Sequence, residues 1–161
     1  MTNRVSIIDW SEQLATGVPR IDAEHRRLID LINELGVLHR SQATVAQLRA
    51  ALADLRNYAE YHFQTEADLM QIHPVDAGNR RVHLAAHQGF VDQLERVNAL
   101  VATDPAAVIE HLLAFMMKWL LHHITGVDAR MAREIISLEM GISDGDGGDG
   151  GANFTRGSSI L

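Results

Sequence analysis

The stretch LRAALADLRNYAEYHFQTEADL, residues 48–69, sets Leu48, Leu52, Leu55, Ala59, His62, Glu66 and Leu69 three or four positions apart. Side chains at that spacing lie together on one face of an α-helix, so a histidine and a glutamate share the apolar stripe of this segment. Three other stripes read the same way. Ile21, His25, Leu28, Ile32 and Leu35 form the first. His83, His87, Phe90 or Val91, Leu94, Val97 and Val101 form the third, and Val108, Leu112, Phe115, Trp119 and His123 the fourth. Four amphipathic helices with short connections predict an all-α, up-down-up-down antiparallel four-helix bundle.

The histidines therefore fall at core positions. A buried polar group without a partner costs about 1–3 kcal/mol, and five imidazoles in one small core are hard to accommodate unless something binds them. His25, His62, His83, His87 and His123, with Glu66 and Asp128, make seven metal-ligand side chains facing one core. A closed structural zinc site uses four, so seven point to two metals. His62 and Glu66 are four apart, as are His83 and His87; each pair projects from one face with about 40° between its members. His123 and Asp128 are five apart, about 140° around a straight helix. A widened turn at Thr125-Gly126 would return Asp128 to the centre. His123 is preferred over His122 because it keeps register with Leu112 and Trp119. His39, His73, His111 and His122 read as surface or rim residues.

Composition limits the alternatives. The 161 residues, 47% hydrophobic, suit one domain. The formal net charge of −7 and the lack of any basic run longer than Arg26-Arg27 or Arg80-Arg81 argue against nucleic acid as a partner. The chain contains no cysteine, which excludes disulfides, iron-sulfur clusters and thiol catalysis and leaves nitrogen and oxygen to hold any metal. The N-terminus lacks the apolar run of a signal peptide, and the most apolar later stretch, Leu112–Leu121, spans ten residues and includes Lys118, so no membrane span and a cytoplasmic location are expected.

Along the chain, residues 1–19 read as an N-terminal arm with Trp10 as an apolar anchor, residues 20–140 as the bundle, and residues 141–161, with seven glycines, as a flexible Gly/Asp-rich tail. Asp22 is the expected N-cap of the first helix, which ends near Arg40. The second runs from about Thr44 to Ile72 ahead of Pro74, and the third from about Asp76 to Ala102. The fourth opens on Asp104-Pro105. A short C-terminal helix is expected from about Val127 to Met140.

Trp10, the run Gly17-Val18-Pro19-Arg20-Ile21-Asp22-Ala23-Glu24-His25, then His62-Phe63-Gln64-Thr65-Glu66, His83-Leu84-Ala85-Ala86-His87 and Trp119-Leu120-Leu121-His122-His123-Ile124 with Asp128 resemble the bacterial members of the hemerythrin family. The resemblance covers residues 10 to about 138 and matches all seven of the family's ligand positions; Ala67 and the loop at Pro74-Val75 depart from its usual pattern. It implies two iron ions, Fe2+ or Fe3+, bridged by Glu66, Asp128 and an oxide or hydroxide. His83, His87 and His123 would complete one iron. His25 and His62 would leave the other with one open position, where dioxygen binds. Leu28, Phe63, Trp119 and Leu120 resemble the family's lining of that pocket and would keep water out.

The implied function is reversible dioxygen binding for carriage, storage or delivery, without enzymatic turnover. An oxygen or redox sensor module acting on a partner protein is the alternative, followed by a di-iron peroxidase or oxidase. Ferritin-like di-iron enzymes carry Glu-x-x-His repeats on two helices, and this sequence has none. The sequence names no protein partner and is compatible with a monomer.

Overall fold

Three helix starts follow from local chemistry. In the computed structural model, which describes residues 6–141, Thr44 opens α2 (Val45–Ile72) with a capping box: its hydroxyl accepts from the Gln47 amide N–H at 3.3 Å while Gln47 Oε1 accepts from the Thr44 N–H at 2.9 Å. Asp76 caps the helix Ala77–Leu100 by accepting from Asn79 N at 2.8 Å. Asp104 caps the helix Pro105–His122 by accepting from Ala107 N at 3.1 Å, with Pro105 at its first position. These two helices are α3 and α4.

The helix ahead of them, α1, spans Pro19–Arg40. It starts three residues before the expected cap, because Pro19 has a backbone already suited to the first helical position. Asp22 sits inside the first turn instead. Its carboxylate reaches back to accept from Thr16 N and Thr16 Oγ1, both at 2.7 Å, and from Gly17 N at 3.3 Å, which fixes the angle at which the arm joins the helix.

Each of the four long helices packs on its neighbour in the chain, and α4 closes the ring against α1. The connections 41–44, 73–76 and 101–104 are four residues each, so successive helices run antiparallel. Inside lie Leu28, Ile32 and Leu35 of α1, Leu48, Leu52 and Leu55 of α2, Phe90, Leu94 and Val97 of α3, and Ile109, Leu112, Met116 and Leu120 of α4. Burying such a side chain contributes about 1.5–3 kcal/mol.

The α4 stripe differs from the expected one. Leu112 is buried, but Val108, Phe115 and Trp119 are only half-buried, and Ile109, Leu113, Met116 and Leu120 lie deeper. This helix is apolar on most of its circumference, so two overlapping stripes fit the same spacing and packing between α1 and α3 selects one.

After α4, residues His123–Asp128 form a π-helical turn that runs into α5 (Ala129–Glu139). In α5, Met131 and Ile135 meet Met70 of α2 in a second small apolar cluster. The expected tail lies beyond Gly141, outside the described residues. No helix among the described residues is long and apolar enough to cross a membrane.

The N-terminal arm is held by Asn33 of α1. Its side-chain oxygen accepts from Ile7 N at 2.7 Å and Ile8 N at 3.1 Å, and its amide donates to Ile8 O at 2.8 Å. Trp10 packs half-buried on the core with the Arg26 guanidinium 4.4 Å from its ring centroid. Replacing Asn33 by Ala strands three backbone groups and is expected to destabilise the protein by about 1–3 kcal/mol, read as a lower thermal midpoint. An unchanged midpoint would show that the arm adds no stability.

Candidate metal centre

His25 comes from α1, His62 and Glu66 from α2, His83 and His87 from α3, His123 and Asp128 from the turn after α4. All seven are between 0% and 4% exposed. They meet because each sits on its helix's inward face at the same level of the bundle. Asp128 reaches the centre through the π turn: a turn closed by i→i+5 hydrogen bonds sets residues five apart one above the other. Asp128 Oδ1 thus stands 3.0 Å from His123 Nε2. His122, one residue earlier, is exposed, as is His111; His39 and His73 are half-buried away from the centre.

Each carboxylate faces two ways. Glu66 Oε2 lies 3.2 Å from His83 Nε2 and 3.1 Å from His87 Nε2, while its Oε1 faces His62 Nε2 at 3.6 Å and His25 Nε2 at 3.9 Å. Asp128 Oδ1 faces His83 at 3.2 Å as well as His123, and its Oδ2 faces His25 at 3.1 Å. Two adjoining donor sets result. Glu66, His83, His87, His123 and Asp128 can converge on one point, and His25, His62 and Glu66 on a second.

Two observations show that cations fit these points. Four buried atoms on the facing sides of the centre, His25 Nε2, Glu66 Oε1 and both Asp128 oxygens, have only one another or a facing ring nitrogen nearby and make no well-aligned hydrogen bond. Buried polar atoms left so cost about 1–3 kcal/mol each, which a bound cation would relieve. The second observation is that His87 Nε2 and His123 Nε2 point at each other across 3.0 Å, while each also faces a carboxylate oxygen. Converging lone pairs of this kind are what a shared cation requires.

Charge follows from the same packing. Burial and the nearby Asp128 push the Glu66 carboxyl up, but His62 and hydrogen bonds from His83 and His87 outweigh them and hold it at about 2. For Asp128, burial is again overcome, by the His123, His25 and His83 rings that stand 3.0–3.2 Å from its oxygens, and its pKa falls well below the usual range. Burial lowers His83, yet its bonds to Asp128 and Glu66 raise it to about 9. Burial dominates at His87 and, with repulsion from His83 and His123, drops it to about 4. The centre thus offers two ionised carboxylates.

Aromatic rings brace the three-histidine end. Phe63 stacks on His87 with centroids 3.8 Å apart and planes 10° apart, and Trp119 stacks on His123 at 4.2 Å and 12°. Phe63 also stands 5.7 Å from the His62 ring, between the two ends. Leu28 and Leu120 are buried in the same core.

One residue that contacts the centre escaped sequence reasoning. Glu24, buried on α1, accepts from the Nδ1–H of His62 at 2.9 Å. Its other oxygen accepts from Arg20 Nε at 3.1 Å and from Thr65 Oγ1 at 3.2 Å, and Thr65 Oγ1 accepts from Arg20 Nη2 at 3.1 Å. Burial raises the Glu24 carboxyl, but the bonds to His62 and Arg20 bring it below its usual value. A signal was present in the chain: Ile21, Glu24 and Leu28 keep helical spacing, so Glu24 belongs to the inward stripe.

Comparison with known proteins agrees with this geometry. Residues 16–135 match the family described as the Hemerythrin HHE cation binding domain. Bacteriohemerythrin of Clostridium acetobutylicum is 26% identical over 125 residues, covering 74% of this chain and 94% of that protein. Bacteriohemerythrin of Pseudomonas paraeruginosa is 31% identical over 126 residues, 74% of this chain and 76% of that protein. A hemerythrin-like protein of Naegleria fowleri is 27% identical over 125 residues, 78% and 91% respectively. A family match across most of the chain, joined to a buried pair of donor sets that share one glutamate, shows that the chain belongs to the hemerythrin family.

Proposed function

We propose that the protein binds dioxygen reversibly at a non-haem di-iron centre, for carriage, storage or delivery within the cytoplasm, and that it is not an enzyme. The observation that carries this reading is the pair of adjoining donor sets sharing Glu66, each carboxylate presenting one oxygen to each set. Two ferrous ions with an oxide or hydroxide bridge would supply the two electrons that dioxygen binding takes up and returns.

The chain's own residues supply the rest. Glu66 and Asp128 contribute the negative charge that balances two cations. His83, His87 and His123 crowd one end, whereas His25 and His62 leave the other with fewer protein donors, and a small molecule would complete the metal's shell at that end. Leu28, Phe63, Trp119 and Leu120 belong to the apolar surroundings that keep water away, and with it the protons that would make binding irreversible. Five histidines to two carboxylates favour binding over oxygen activation.

The test is an anaerobic optical titration of the iron-loaded, reduced protein with dioxygen, followed by argon purging. A visible band that appears at two irons per chain and disappears on purging is the expected result. Irreversible conversion to a ferric spectrum would overturn the carrier reading, and steady turnover of hydrogen peroxide with a reductant would overturn the non-enzymatic one.

A further inference from the structure

The two ends of the centre are held in different ways. The three-histidine end has five converging residues, and two of its rings are clamped by aromatic stacks. The other end has three converging residues, one of them the shared Glu66. The Nε2 of His25 faces the centre, 3.1 Å from Asp128 Oδ2, and its Nδ1, on the far side of the ring, has no hydrogen-bond partner. His62 is therefore the one histidine at that end whose ring is set by a hydrogen bond on the side away from the centre, and Glu24 sets it.

That bond decides which way the imidazole faces. A carboxylate at Nδ1 keeps the proton there and leaves the Nε2 lone pair toward Glu66 Oε1. It also makes Nε2 a stronger donor to a metal. Glu24 cannot swing away, because Arg20 and Thr65 hold its other oxygen.

We propose that Glu24, braced by Arg20 and Thr65, is the positioning residue that lets the two-histidine end keep its metal, so that without it the second metal is held much more weakly than the first. This rests on the two-metal reading of the centre, and the test separates the two. Chelator-stripped protein is titrated anaerobically with cobalt(II), following the visible ligand-field bands and competition with a chelator of known affinity.

Wild type is expected to bind two equivalents. Glu24→Gln should bind the first with unchanged affinity and the second about 10–100-fold more weakly, the usual effect of losing a carboxylate behind a metal-bound histidine. Thr65→Val, which keeps the carboxylate but removes one of its braces, should show a smaller loss at the same step, and it carries the test if the Glu24 variant fails to fold by circular dichroism. Two wild-type affinities in a folded Glu24→Gln protein would overturn the proposal, as would equal weakening of both steps, which would mark Glu24 as a residue of the fold alone. A single equivalent in wild type would instead strike the two-metal reading. Dioxygen takes no part in the experiment, so failure of reversible binding leaves its outcome unaffected.

Discussion

Glu66→Ala is expected to cut bound iron from two per chain to less than one and to abolish the optical response to dioxygen. Glu66 is the residue common to both donor sets, fully buried, with Oε2 3.1–3.2 Å from two histidines of one end and Oε1 facing the two histidines of the other. Its loss removes a donor from each end and one of the two buried negative charges that offset the cations. Histidine variants should behave differently, since each histidine serves one end only. His62→Ala would weaken the two-histidine end, whereas Glu66→Ala empties both. Iron quantification after anaerobic reconstitution decides the matter; two tightly held irons in the alanine variant would rule out a bridging role for this carboxylate.

Removing the metal should be the second large effect, and it should make stability depend on pH. In the stripped protein His25 Nε2, Glu66 Oε1 and the two Asp128 oxygens have no cation to satisfy them, so a thermal midpoint well below that of the loaded form is expected. On the acid side, folding depresses His87 to about 4 from an ordinary 6.5. The unfolded chain then binds a proton that the folded one refuses, so stability is lost as pH falls from 6.5 toward 4, by roughly 3 kcal/mol for this group.

The ionised state of Glu66, held at about 2, adds a loss as pH falls from 4.5 toward that value. His83 has the opposite sign. Raised to about 9, it contributes stability that is complete below 6.5 and lost as pH rises through 9. Because a metal needs neutral imidazole, loading at pH 7 must displace the His83 proton, and apparent metal affinity should climb up to tenfold per pH unit until about pH 9. Calorimetric titration in buffers of different ionisation enthalpy reads that proton directly. Loading at pH 7 with no proton release would contradict the charge state assigned to His83.

Most of this could be read along the chain because helix periodicity is a local property. Leu48, Leu52 and Leu55 announce the same face as His62 and Glu66, and the caps Thr44, Asp76 and Asp104 act within three residues of themselves. Periodicity was least informative where it was degenerate. In α4 nearly every position is apolar, so the spacing through Val108 and Phe115 fits as well as the one through Ile109 and Met116 that packing buries. The helix α1 opens at Pro19 and not after Asp22, because proline at the first position and an expected capping carboxylate compete as signals; proline sets the start, and Asp22 reaches back to Thr16 and Gly17 ahead of the helix.

By itself, then, the sequence determined four amphipathic helices, their order and caps, and the placing of five histidines and two carboxylates on inward faces, since each of these is set by residues a few positions apart. The tertiary structure decided what depends on distances between helices. It turned Oε1 and Oε2 of Glu66 toward opposite ends and laid Phe63 and Trp119 flat on two of the rings. It also joined Glu24 of α1 to His62 of α2 across 38 residues of chain. Spacing along one helix reports which way a side chain faces, but only the packing of one helix on another determines which atom it meets there.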